Sequence, residues 1–256
     1  MPKEAKTSTR FLLLDEIRGF AILCMVFFHA FYLLADQFRL PAAETLFYFF
    51  MPAEPYFAGA FLLISGICCR FSRSNFKRGM VLLAVAVLLT AATVGLTRFG
   101  INQIIKFGIL HCIAVCILVF ALIKPVLNKI PALLQIIIFI VLFIAAVNIG
   151  RGVIGIGALS FRLPDIITDS VFLYPIGLHS IYFTSADYFP VFPWVFLFLT
   201  GSAIGVYGQK GKFPRFFCTS HIKPLEYIGR RSLWIYLFHQ PVIFLIAAAV
   251  MNIFKL

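Results

Sequence analysis

Three histidines stand inside long apolar runs: His29, His111 and His239. An ionisable ring in hydrocarbon costs a few kcal/mol unless it faces a cavity or a partner, so such residues mark candidate sites. At a helical rise of about 1.5 Å per residue, His29 lies roughly 16 Å beyond Arg18, and His239 about 12 Å beyond Arg231. His111 is around 10–15 Å into a run entered from the opposite face. All three depths fall near the middle of a bilayer and suit one shared polar cavity. A midplane imidazole can accept a proton from an attacking hydroxyl or amine, or attack a carbonyl itself. It can also simply hydrogen-bond a neighbouring helix.

Arg18 and His29 are eleven residues apart, which at about 100° per residue is three turns plus about 20°, so they share one helix face. Asp15, three residues before Arg18, can hold its guanidinium. One stripe therefore runs from charge at the membrane surface to the buried His29. Arg18 alone also fits a snorkelling anchor. Asp187 precedes the aromatic-proline stretch Tyr188–Trp194, as an interfacial belt residue, a helix cap or a substrate contact.

The elements that must position these groups are membrane helices. Of the 256 residues, 62% are hydrophobic and 12% charged, with mean hydropathy +1.00. A water-soluble fold cannot bury that much apolar surface, so the bilayer is the solvent for most of the chain. Segments long enough to cross are 17–35, 56–71, 79–97, 104–123, 132–149, 190–208 and 232–253, about seven spans of an all-α polytopic bundle. Leu46–Met51 with Pro52 and Pro55 predicts a broken or interfacial outer end for the second. With the N-terminal tail 1–12 (Lys3 and Lys6 included) in the cytoplasm, sixteen Lys and Arg collect inside. Six lie outside, Lys255 near the C-terminus among them. The net charge of +12 thus follows the positive-inside pattern and does not point to nucleic acid. The whole chain, 1–256, reads as a single membrane domain with one long outer loop, 150–189, suited to a lid or re-entrant segment. Asp15, Glu16 and Arg18 at the start of the first run exclude a cleavable signal peptide. None of the six cysteines has metal-site spacing, so no metal is expected.

The stretch LDEIRGFAILCMVFFHAF resembles the first span of multi-pass membrane acyltransferases, in which an Arg near the cytoplasmic end is followed, with ten residues between, by a His in the membrane. More narrowly, the chain resembles the bacterial relatives of the heparan-α-glucosaminide N-acetyltransferase catalytic domain. The matching stretches are FLLISGICCRFSRSNFKRG at 61–79, FGILHCI at 107–113, DYFPVFPW at 187–194 and IGRRSLWIYLFHQP at 228–241. The eukaryotic enzymes are longer, and their proposed active histidine lies in the loop after the first span. The loop Asp36–Glu44 has no histidine, so that role is not carried over, and His29 is preferred.

The resemblance implies acyl transfer in the cell membrane, commonly of acetyl from cytoplasmic acetyl-CoA or another acyl-CoA, to a carbohydrate or similar hydroxyl or amine acceptor. The expected catalytic residues are His29, His111, His239 and Asp187, with His111, Gln240 or His239 as oxyanion donors. Arg18, held by Asp15 within the donor site, and Arg70, Arg73, Lys77 and Arg78 are expected to receive the phosphates of CoA. A proton-coupled transporter or a non-catalytic membrane scaffold are the competing classes; a transporter predicts internal repeats, and none is evident.

Overall fold

A computed structural model describes residues 10–99 and 103–254; Lys3, Lys6, Lys255 and most of the N-terminal tail lie outside them. The chain is predominantly helical, in the order α1 (Leu12–Asp36), α2 (Pro41–Phe50), α3 (Glu54–Cys69), α4 (Asn75–Leu96), α5 (Ile109–Leu127) and α6 (Ala132–Ala146). There follow a two-residue hairpin, β1 (Val153–Ile154) with β2 (Phe161–Arg162), then α7 (Asp165–Thr168), α8 (Trp194–Gln209), α9 (Lys223–Arg230) and α10 (Ser232–Phe254).

Six of these segments are long and apolar enough to cross a bilayer, α2 and α3 counting as one stretch of 29 residues, Pro41–Cys69. The chain is a multi-pass membrane protein. The prolines act where expected: a 3-10 turn at Met51–Ala53 breaks that stretch into α2 and α3. The segment expected at 190–208 is shorter, because Pro190 and Pro193 delay the start of α8 to Trp194 and leave 16 residues. Sixteen residues rise about 24 Å, less than the roughly 30 Å of hydrocarbon. The span expected at 104–123 also moves, to 109–127. Residues 104–107 pair instead with the loop, Ala186 N–H donating to Ile104 O and Phe189 N–H to Phe107 O.

The described residues group into two units, 10–61 with 213–254, and those within Leu62–Lys212. In the first, α1 packs on α2, α9 and α10. Its tightest crossing is α1 on α9, where glycine is required twice. A Cβ on Gly19 would stand 1.9 Å from Leu225 O, and one on Gly229 would stand 1.8 Å from Asp15 O. In the second unit, α5 is half buried, and its Ala114, Cys116, Ile117 and Phe120 form the core with Phe198 and Ala203 of α8. The outward side chains of α6, Ile137, Ile138, Val141 and Ile144 among them, are exposed apolar surface of the kind lipid covers.

Candidate active site

Helix α1 begins at Leu12, five residues before the expected start, because the acidic residues of its first turns are all engaged. Asp15, 5% exposed, accepts from Arg10 Nε at 2.8 Å and from Arg18 Nη1 at 3.0 Å, and Arg230 Nε of α9 stands 3.9 Å away. Glu16 Oε1 accepts from Ser220 Oγ and from the backbone N–H groups of His221 and Ile222, tying the segment before α9 to α1. The sequence reading missed Glu16. Its signal was a second carboxylate beside Asp15 at the mouth of an apolar helix.

Between three and four turns further along, α1 meets α10. The rings of His29 and His239 lie 5.0 Å apart, centroid to centroid, tilted by 51°. His239 is buried, and its Nδ1 lies 2.6 Å from Tyr236 O. A carbonyl only accepts, so in the neutral ring Nδ1 carries the hydrogen and Nε2 presents a lone pair. That Nε2 is buried and has no hydrogen-bond partner among the described residues. His29 is half-buried and makes no hydrogen bond among the described residues. Two imidazoles thus lie in ring contact with unused nitrogens inside a membrane helix pair. The role of oxyanion donor expected of His239 does not suit this neutral tautomer, because its only N–H is already given to Tyr236. A buried lone pair accepts protons.

His111 has a different setting, in the second unit. Its Nδ1 accepts from Gly108 N–H at 3.2 Å, and its Nε2 lies 3.3 Å from Thr90 Oγ1. Thr90 donates its hydroxyl hydrogen to Ile105 O at 2.7 Å, so it receives the Nε2–H of His111. Both nitrogens are used, and the ring caps the start of α5. Asp187 works at the same place, its Oδ2 accepting from Ile109 N–H at 3.1 Å. It caps α5, not the helix that follows it in sequence. Asp187 takes φ 48°, a left-handed conformation that Asp tolerates better than most residues. A Cβ on Gly108 would come within 2.6 Å of its carboxylate. Nearby, Tyr188 donates to Tyr174 O, and burial pushes its phenol well up, so it stays a donor.

The expected phosphate-binding residues divide. Arg73, Lys77 and Arg78 are exposed, on the α3–α4 turn and the first turn of α4. Arg70 is not: it is 4% exposed and donates to Ser202 O, Asn128 Oδ1 and Gln135 Oε1, with its guanidinium 5.1 Å from the Phe120 ring centre. The sequence placed a basic residue at the end of α3; long-range contacts spend it on holding the second unit together. No group of three or more His, Cys, Asp or Glu among the described residues could hold a metal.

The sequence model of the heparan-alpha-glucosaminide N-acetyltransferase catalytic family matches residues 10–241, nearly the whole chain. The chain belongs to that family. The matched range takes in α1 with Asp15, Arg18 and His29, and ends just past His239 in α10. Both members of the histidine pair therefore lie inside the heparan-alpha-glucosaminide N-acetyltransferase catalytic region. No curated protein and no solved structure matches the chain.

Proposed function

We propose that this chain, as one domain, is a plasma-membrane acyltransferase moving an acyl group, most simply acetyl, from cytoplasmic acyl-CoA to a sugar or other hydroxyl or amine acceptor. The observation that carries this is the His29–His239 contact, with its unpaired Nε2, on the helix whose inner end bears Asp15 and Arg18. In this reading α8 completes seven crossings, the N-terminus is cytoplasmic and the C-terminus outside, which follows the bias of Lys and Arg between loops.

The acceptor oxygen or nitrogen attacks the thioester carbonyl carbon while the imidazole pair takes its proton, His29 as the base and His239 as its proton-accepting neighbour. The proposed donor to the tetrahedral oxyanion is the Gln240 amide. Collapse breaks the C–S bond, and the leaving thiolate recovers the proton from the imidazolium, giving acylated acceptor and free CoA. Arg18, held by Asp15, meets the phosphates of the donor, and the exposed Arg73, Lys77 and Arg78 raise the local concentration of a polyanion.

The test is a radiolabelled acetyl-CoA assay with the purified protein against a panel of amino sugars, neutral sugars and small alcohols. Label should appear covalently on at least one acceptor class with release of free CoA. Label carried across proteoliposomes unchanged, with no acylated product, would replace the enzyme with a carrier.

A further inference from the structure

We infer that the β1–β2 hairpin is a membrane-interface finger, whose tip Gly155–Phe161 lies in the headgroup–acyl boundary of the leaflet at which α6 ends. Its partner is the lipid surface, and it owes nothing to the acyl-transfer reading.

The finger is held in one shape. After α6 a 3-10 turn, Ile149–Arg151, closes on Gly152, which takes φ 71° and donates its N–H to Ile149 O, so the chain reverses there. β1 then pairs with β2, Val153 opposite Arg162 and Ile154 opposite Phe161. Gly155 permits the tight tip: its φ is 127°, and a Cβ on it would stand 2.3 Å from Leu159 O. At the base, Leu163 N–H donates to Gly152 O at 2.7 Å. Thr168 of α7 closes over the same glycine, where a Cβ would stand 2.8 Å from its Cγ2.

One hydrogen bond sets its depth. Gly155 N–H donates to Ala145 O at 2.9 Å, and the membrane-length segment that begins with α6 runs on to Arg151. Ala145 thus lies about 9 Å back from the end of that segment at the helical rise. The hairpin folds back beside the last turns of α6, where Ile144 and Val147 are exposed as lipid-facing side chains are. Interfacial segments sink their apolar faces by roughly 5–10 Å, the same level. The side chains suit it. From Gly152 to Phe161 no residue is ionisable, and Arg151 and Arg162 flank the stretch. Leu159 is 86% exposed and Ile166 of α7 is 87% exposed, with Ile156 and Phe161 exposed beside them. Apolar groups so bare at the depth of Ala145 meet lipid. Arg162, loosely paired with Asp165 at 3.7 Å, is free to snorkel toward headgroup phosphates. The tip stays out of the hydrocarbon proper, where the backbone of its turn would lack water.

The experiment is spin labelling of Leu159→Cys and, separately, Ile166→Cys in the full chain, reconstituted in phosphatidylcholine liposomes. Wild type labelled in parallel supplies the background from the native cysteines. Collision with molecular oxygen, which concentrates in lipid, is compared with collision with a neutral nickel chelate, which concentrates in water. Lys212→Cys, at an exposed turn after α8, is the aqueous reference. Both loop labels should show an oxygen-to-nickel ratio at least about threefold above the reference, as expected for a depth of roughly 5–10 Å. Ratios equal to the reference overturn the finger, since the tip then stands in water. Weak collision with both reagents overturns it as well, since protein then covers the tip.

Discussion

His29→Ala is expected to lower acyl transfer about 10²- to 10⁴-fold, the range for loss of a general base, with the protein still folded and inserted. The reason is local. His29 makes no hydrogen bond among the described residues, so its removal leaves no orphaned hydrogen-bond partner there, and its ring lies against those of Phe28 and His239. That is why the proposed function makes this histidine, which holds so little structure in an apolar helix, its base. Turnover by purified protein, paired with a melting curve, checks this. Full activity in a well-folded variant removes the assignment. The parallel change His111→Ala should show the reverse pattern, a stability loss exceeding any specific effect on turnover, because both its nitrogens secure the start of α5.

The second large effect is structural. Gly201→Leu should destabilise the protein by at least about 3 kcal/mol, since α3 and α8 cross with their backbones in contact. A Cβ at Gly201 would lie 2.1 Å from Leu63 O, and one at Gly66 only 1.9 Å from Phe198 O. Neither backbone can yield without unseating Phe198, Ser202 and the Arg70 bond to Ser202 O. Gly95→Leu, on α4 where a Cβ meets nothing within 4 Å, is the matched control and should leave stability unchanged. Denaturant midpoints in detergent separate the two. Equal midpoints would mean that α8 does not pack against α3 in this way.

The membrane helices were legible in the sequence because the bilayer imposes an apolar stretch of a set length. The Asp15–Arg18–His29 stripe was legible too, since it depends only on helical spacing, and Asp15 does hold Arg18. What escaped the sequence depends on contacts between distant segments. Arg70 looked like any basic residue at a helix end, and only Asn128, Gln135 and Ser202, more than fifty residues away, make it a buried strut. The beginning of α5 shifted because residues 104–107 pair with 186–189, a partnership periodicity cannot register. His111 and His29 looked alike in sequence, each a histidine in an apolar run. The Gly108 amide and Thr90 hydroxyl, which make one of them a cap, are visible only in three dimensions.

Photo-crosslinking tests the account most directly. An acyl-CoA analogue bearing a diazirine at its acyl terminus, irradiated with the full-length protein, should label peptides of α1 and α10 flanking His29 and His239. Competition by acetyl-CoA should suppress that labelling. Specific, competed labelling confined to other helices, with none on α1 or α10, would show that the thioester never reaches the imidazole pair.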